Sequence, residues 1–346
     1  MRSTKARPEG ARPKKKKESD SLLSNKGNQV HYNAILGKRG DFLLIEIEYS
    51  VDMVRLKTRI HSSIFSDFIV KNLDLEPGVT YWNNFKYSGY RHNWWIEQDP
   101  LRKEFEDENG DVKRSSIGQP YTYWVGYHHN SEKPTEVHNL VIEFNPNKCL
   151  PHGLLDLILS TFFNSLSVEV VSLDIAMDIP ININRLIIDK YRKHTYKLFD
   201  NGGDDKTHYL GKGDGRIKIY NKAKEMGIDG DLTRYEISKA IRLPVASVID
   251  EGYEFKGELM PVSCLEGKSM EFEDKTLSAL FWAVLEGYPV SELSRVYKDK
   301  IRKLMREYTE LEFDKKKISQ TIRTWFKGYS RLYVYNYNTK NDVNKV

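Results

Sequence analysis

The segment that decides the fold is EVVSLDIAMDIP, residues 169–180, in which apolar residues alternate with polar or small ones. Successive side chains of a β-strand point to opposite faces, so the alternation predicts a strand with one core face and one polar face. The polar face carries Asp174 and Asp178 on either side of Ala176, and Pro180 ends the strand. The polar face also includes Ser172, and the apolar face consists of Leu173, Ile175, Met177 and Ile179.

Two further segments place a carboxylate among apolar neighbours. HNLVIEFNP (138–146) contains Glu143, and LTRYEIS (232–238) has Arg234 and Glu236 on one face. If these strands are neighbours in one sheet, the carboxylates converge and their repulsion favours a bound cation. Hard divalent ions prefer oxygen ligands, so Mg²⁺ or Mn²⁺ is the expected cofactor. The alternative is that each acid faces water on the open side of the sheet.

A fourth segment, RIKIYNK (216–222), alternates polar residues with two isoleucines. Its polar face carries Arg216, Lys218, Tyr220 and Lys222. Cations orient and neutralise a phosphate, and a tyrosine hydroxyl can act as a covalent nucleophile. With a metal ion to polarise the phosphoryl oxygens, the pattern predicts phosphodiester cleavage by tyrosine. The alternative is an ordinary exposed strand face that happens to include a tyrosine.

The rest of the chain mixes strand and helix patterns, which predicts an α+β protein. The expected architecture is a central, mostly antiparallel β-sheet that carries the active site, flanked by helices, with a basic helical C-terminal region. Further strands are expected at 45–60, 121–129 and 207–211, and a polar loop or hairpin excursion at 99–117. Helices are expected at 62–73, 154–166, 184–194 and 275–288.

Composition excludes several classes of protein. Hydrophobic residues make up 39% of the 346 positions, which is enough for a real core and rules out a wholly disordered chain. No apolar run reaches 18 residues, so no membrane-spanning helix is expected. The two cysteines, Cys149 and Cys264, cannot form a disulfide framework and lack zinc-site spacing. A cytoplasmic protein is the expectation.

Basic residues are concentrated near both termini, although the net charge is only +5. Residues 1–17 hold eight Lys or Arg against one acid, and 291–331 hold twelve against six. Such stretches are either solvated or contact nucleic acid. The predicted organisation is a disordered basic arm at 1–30, a catalytic domain at 31–250, a helical C-terminal region for DNA recognition at 251–335 and a polar tail at 336–346.

Taken together and in order, these motifs resemble a known family. EFNPNK, LDIAMD, THYLGKGDGRIKIYNK and RYEIS are similar in sequence and spacing to replication initiators of small staphylococcal rolling-circle plasmids, the Rep_trans-type family. SVDMVRLKTRI looks like that family's first core strand. The likeness covers roughly residues 45–245, and relaxases of Gram-positive conjugative elements belong to the same broad family. These four motifs begin at residues 143, 173, 207 and 234, and the first core strand at 50.

The resemblance implies a site-specific DNA nickase and strand transferase. Tyr220 matches the tyrosine that attacks the phosphodiester, forms a 5′-phosphotyrosine and releases a 3′-OH for a host polymerase. The implied metal ligands are Glu143, Asp174 and Glu236, with Asp178 as an alternative or supporting ligand. The implied phosphate-binding residues are Arg216, Lys218, Lys222 and Arg234.

The resemblance also implies partners. Family members act as homodimers on plasmid origin DNA, single-stranded or in a hairpin, and recruit a host helicase. Their origin specificity lies largely in the C-terminal part, which agrees with the basic stretch at 291–331.

Three alternatives stay open on the sequence alone. One is a relaxase of a conjugative or mobilisable element, and another is a non-catalytic DNA-binding regulator on the same fold. The third is the other large rolling-circle class, which binds metal through a His-hydrophobe-His motif, and His128, His129 and His138 invite that interpretation. Against it, the adjacent pair His128 and His129 alternates faces, so both cannot bind one ion from one strand.

Overall fold

The structure is a computed structural model that describes residues 37–343 apart from 40–41, 84–88, 166–167, 189–194, 265–273, 286–287, 289 and 308–309. The predicted basic arm at 1–30 lies outside the described residues. Among the helices that are described, none is both long enough and apolar enough to cross a membrane.

The strands follow in chain order. They are β1 (Gly37–Arg39), β2 (Phe42–Leu44), β3 (Glu48–His61), β4 (Val79–Asn83), β5 (Tyr90–Gln98), β6 (Leu101–Glu106), β7 (Val112–Ile117), β8 (Tyr121–His129), β9 (Val137–Phe144), β10 (Glu169–Ile179), β11 (Leu186–Ile188), β12 (Tyr196–Asp200), β13 (Lys206–Leu210), β14 (Ile217–Asn221), β15 (Thr233–Pro244), β16 (Val262–Cys264) and β17 (Glu310–Leu311).

The helices are fewer and lie mostly in the second half of the chain. They are α1 (Ser62–Ile64), α2 (Lys71–Leu75), α3 (Gly153–Phe163), α4 (Lys222–Met226), α5 (Val245–Ile249), α6 (Lys275–Leu285), α7 (Arg295–Glu307) and α8 (Lys315–Val343). A π-helical segment, Phe65–Val70, joins α1 to α2, and 3₁₀ turns lie at Ile183–Arg185 and Val290–Glu292.

The centre of the fold is an antiparallel sheet of ten strands in the order β12-β13-β14-β15-β10-β3-β9-β8-β5-β4. The predicted α+β class with a central antiparallel sheet is therefore confirmed. Strands β6 and β7 form the expected hairpin, and β11, β16 and β17 form a separate small sheet. The predicted helix at 184–194 is wrong for its described part, because Leu186–Ile188 is a buried strand paired with β16.

Strand β10 lies in the middle of the sheet and shows the predicted division between its faces. Leu173, Ile175 and Met177 are fully buried in the main core. Helices α3 and α8 pack on this side through apolar residues such as Phe162 and Ile322. Each such side chain contributes about 1.5–3 kcal/mol of burial free energy. The opposite face of the sheet is left for polar side chains.

A β-bulge interrupts the pairing between β10 and β3. Asp174 lies opposite Met53, and Ile175 lies opposite Val51, so Asp52 is an extra residue without an opposite partner on β10. A bulge redirects side chains, and here it turns Asp52 towards the polar face.

The C-terminal helices belong to two apolar clusters. Helix α8 contributes Ile318, Ile322 and Phe326 to the main core beneath the sheet. Helices α6 and α7 pack instead around a small cluster that includes Phe281 and Ile301.

Candidate active site

The register of β10, β15 and β14 brings six of the nine predicted site residues together on the polar face. Residues directly opposite each other in an antiparallel pair project from the same face and can interact. The pairs from β10 to β15 are Asp174 with Ser238, Ala176 with Glu236 and Asp178 with Arg234, and those from β14 to β15 are Lys218 with Glu236 and Tyr220 with Arg234.

Tyr220 and Glu236 form a buried hydrogen-bonded pair. The Tyr220 hydroxyl donates to Oε1 of Glu236 at 2.6 Å, and the two residues are only 6% and 8% exposed. The Lys218 ammonium lies 3.8 Å from the centroid of the Tyr220 ring and 3.7 Å from Oε2 of Glu236. A nucleophile within hydrogen-bond reach of a base is the arrangement that covalent catalysis needs.

Burial and charge set the protonation of this pair. Burial, followed by the charge and hydrogen bond of Glu236, raises the pKa of Tyr220, so the resting residue is a neutral phenol. Burial also raises the pKa of Glu236, and the nearby charge of Asp52 raises it further, against the opposing effect of Lys218. A carboxylate with a raised pKa is a stronger proton acceptor than an exposed one.

Lys222, a predicted phosphate-binding residue, is buried at the start of α4. Its ammonium lies 2.7 Å from Oε2 of Glu225 and 6.0 Å from the centroid of the Tyr220 ring. Burial would raise the pKa of Glu225, but the hydrogen bond and charge of Lys222 outweigh it and lower that pKa to about 2. Lys222 is therefore neutralised by Glu225 in this structure.

Asp174 has weaker partners. Its Oδ2 lies 4.0 Å from the Arg216 guanidinium, which also donates to the Ser238 hydroxyl at 3.2 Å. Burial raises the pKa of Asp174 against the opposing effects of the Ser238 hydrogen bond and the Arg216 charge, and the charge of Asp52 adds a smaller rise. Asp174 and Glu236 are diagonal neighbours on adjacent strands, about 7–8 Å apart at Cα.

Arg234 and Asp178 form a second buried pair on this face. The guanidinium donates from Nε and Nη2 to the two oxygens of Asp178, both at 2.6 Å, and from Nη1 to Asp52 at 2.9 Å. Both oxygens of Asp178, a predicted metal ligand, therefore accept from arginine.

The structure places Glu143 apart from the other predicted ligands. It lies on β9, which is separated from β10 by β3. At about 4.8 Å between strands, it is about 14 Å across the sheet from β15. Arg55 donates to Oε2 of Glu143 from both Nε and Nη2, and its guanidinium lies 5.5 Å from the centroid of the Trp124 ring.

Sequence analysis missed Asp52, Arg55 and Glu225, which all contact site residues. A signal for Asp52 was present in β3. Apolar positions alternate from Val54 onward, but Val51 precedes Val54 by three residues, which is the spacing that an inserted bulge residue produces.

The structure gives a partial fit to the predicted divalent metal. In the described part of the chain, no group of three or more His, Cys, Asp or Glu is arranged to hold an ion. Mg²⁺, however, is commonly held by one or two carboxylates together with substrate phosphate and water. Asp174 and Glu236 meet that requirement, because Glu236 is buried, Asp174 is partly buried, and each has a raised pKa that a cation would lower.

The histidines that invite the other rolling-circle interpretation, His128, His129 and His138, lie on β8 and β9. The rings of His128 and His138 stack with centroids 3.6 Å apart, on β8 and β9. Strand β8 is five strands from β14 in the sheet. The His128 and His138 pair is thus remote from Tyr220.

Comparisons with known proteins give a distant structural likeness and no sequence match. No family model matches the chain, and no curated protein sequence matches it. Among solved structures, the chain is similar to a rolling circle replication initiator protein from Geobacillus stearothermophilus, with 15% identity and a TM-score of 0.33. The match covers 78% of this chain and 99% of that one. What this chain does is therefore inferred from its own site.

Proposed function

We propose that this protein is a tyrosine-type DNA nickase and strand transferase that initiates rolling-circle replication. The observation that carries the proposal is the buried Tyr220 hydroxyl, which donates to Glu236 at 2.6 Å beside the Lys218 ammonium. The motif resemblance of residues 143–238 supplies the substrate, plasmid origin DNA in single-stranded or hairpin form.

In the proposed reaction, Oη of Tyr220 attacks the scissile phosphorus and passes its proton to Oε1 of Glu236. The new bond joins Oη to phosphorus, and the bond from phosphorus to the 3′ oxygen breaks. The 3′ oxygen takes a proton from water and leaves as a 3′-OH. The number of phosphodiester bonds is unchanged, so the reverse attack by a 3′-OH rejoins the strand.

The cations of the site hold the substrate phosphate. Lys218 lies beside both members of the reacting pair, and its side chain is partly exposed, so it can pair with a non-bridging oxygen. Arg216 immediately precedes β14 and lies near Asp174. DNA binding through such contacts should weaken as salt is raised.

A divalent ion would be held by Asp174 and by Glu236 through Oε2, the oxygen that does not accept from Tyr220. Such an ion polarises a phosphoryl oxygen and stabilises charge in the transition state. Glu143 and Asp178 are ion-paired with arginines and fit this role less well.

The partners are proposed on the resemblance alone. They are a host helicase and polymerase and a second copy of the chain, in the cytoplasm.

The test is cleavage of end-labelled single-stranded origin DNA with Mg²⁺ or Mn²⁺, read on a denaturing gel. Tyr220→Phe should bind DNA normally but lose both the cut and the protein-linked fragment, by at least about 10³-fold. Tyr209→Phe is the matched control, since Tyr209 lies opposite Lys218 on the neighbouring strand β13. It should cut at the normal rate.

Two results would contradict the proposal. An adduct that persists in Tyr220→Phe would place the nucleophile elsewhere. Wild-type protein that binds the cognate DNA but cuts it with neither metal would indicate a DNA-binding regulator.

A further inference from the structure

Arg234 is a buried cation held by two aspartates. Its three hydrogen bonds to Asp178 and Asp52, of 2.6, 2.6 and 2.9 Å, commit three of the five guanidinium donors. Arg234 is 7% exposed and Asp178 8%. A buried charge that loses its partner is strongly destabilising, so this ion pair constrains where the guanidinium can lie.

The location of Arg234 relates this ion pair to the chemistry. Arg234 lies directly opposite Tyr220 across β14 and β15. Its charge also lowers the pKa of Tyr220, against the larger effects of burial and Glu236. The guanidinium is thus close to the hydroxyl that would meet the scissile phosphate.

Asp52 reaches Arg234 because of the bulge in β3. Val51 and Val54 are both buried in the core, so two residues, Asp52 and Met53, occupy the place of one on the polar face. In a regular strand Asp52 would alternate to the face opposite that of Met53. The bulge therefore supplies a second carboxylate to Arg234.

We propose that Asp52 and Asp178 are positioning residues that clamp the Arg234 guanidinium beside Tyr220, and that Asp178 is not a metal ligand. The clamp gives the incoming phosphate a cation that is already oriented by three hydrogen bonds, whereas Lys218 is partly exposed and lies 3.7 Å from a single carboxylate oxygen. Metal binding by Asp178 would require an oxygen that now accepts from Arg234. This inference rests on the proposed function, because it assigns the clamp to phosphodiester cleavage.

The first test needs neither DNA nor metal. If Asp178 clamps Arg234, Asp178→Asn should lower the melting temperature by about 5 °C or more, since it leaves a buried arginine partly unpaired. In an Arg234→Gln background, Asp178→Asn should lower the melting temperature much less, because the interaction between the two residues is already lost. Asp67→Asn, at an exposed pair with Lys71, is the control and should change little.

The second test separates rate from metal binding. Asp52→Asn and Asp178→Asn should lower the cleavage rate at saturating DNA and metal by about 10–100-fold, as small misplacements of a catalytic group do. The Mg²⁺ concentration for half-maximal cleavage should stay as in wild type. Arg234→Lys should restore part of the rate lost in Arg234→Gln.

Two outcomes would overturn the clamp. One is an unchanged or higher melting temperature in Asp178→Asn, as expected when a repelling carboxylate is removed. The other is a Mg²⁺ requirement raised about tenfold or more in Asp178→Asn, as expected for a ligand. Wild-type protein that never cuts DNA would contradict the proposed function instead, and the melting-temperature cycle would still decide whether the clamp exists.

Discussion

Two regions of one sheet face use the same residue types in opposite ways. On β9 and β3, Glu143 pairs with Arg55 beside the ring of Trp124. On β10, β15 and β14, Glu236 accepts a hydrogen bond from Tyr220. The pKa values of Glu236 and Asp174 are both raised above those of exposed carboxyl groups.

The difference lies in how the charge of each carboxylate is compensated. A carboxylate matched by an arginine already has its charge compensated. A buried carboxylate with a raised pKa gains from a proton or a cation, which is what a proton acceptor or a metal ligand must do. A carboxylate on a strand is thus no guide to function until its partner is known.

The largest expected effect compares one glutamate from each region. Glu236→Gln removes the proton acceptor and should slow single-turnover cleavage by about 10²–10⁴-fold. Glu143→Gln should slow it by less than about threefold, since that side chain is about 14 Å across the sheet from β15. Equal losses in the two variants would return Glu143 to the catalytic site, as the sequence predicted.

A smaller effect concerns the metal. Asp174→Asn should raise the Mg²⁺ or Mn²⁺ concentration for half-maximal cleavage by about tenfold or more. Glu143→Gln should leave that concentration unchanged. Cleavage by wild-type protein at the full rate in the presence of a strong chelator would contradict the proposed role of a metal ion.

The smallest expected effect is on the free energy of unfolding. Neutralising a carboxylate should stabilise the protein in one region and destabilise it in the other. Because the folded state raises the pKa of Asp174, ionisation of this group at neutral pH disfavours folding. Asp174→Asn should therefore stabilise the protein at pH 7–8 by about 0.5–2 kcal/mol, as relief of an unfavourable functional group does. The gain should disappear as pH falls through the raised pKa towards the ordinary value of 3.8, where the wild type is protonated too.

Glu143→Gln should instead cost up to about 1 kcal/mol at neutral pH, since it breaks a partly exposed ion pair. Urea unfolding of both variants at several pH values measures the two signs. If Glu143→Gln stabilises the protein, the two regions do not differ in the way their carboxylates affect stability, and the comparison is wrong.

Local pattern predicted much of the half of the sheet that carries the candidate site. Alternation in residues 169–180 and 216–222 was enough to place Asp174, Asp178, Lys218 and Tyr220 on one face, because the period of a strand fixes which side chains share a side. The bulge at Asp52 was missed because strict alternation was assumed along β3.

Other features depend on distant parts of the chain. Alternation does not give strand order, so the sequence pattern does not reveal that β3 lies between β10 and the strand that carries Glu143. The short apolar run Leu186–Ile188 fits a helix or a strand equally well, and pairing with β16 decides it.

The packing of α8 has a consequence for how such a protein can be recombined. Ile318, Ile322 and Phe326 are fully buried in the same core as the sheet that carries Tyr220. A chimera joined near residue 250 would exchange part of the support of that sheet together with the C-terminal region. Helices α6 and α7 have a small apolar core of their own. Replacing these two helices with those of a related protein should therefore disturb the sheet less.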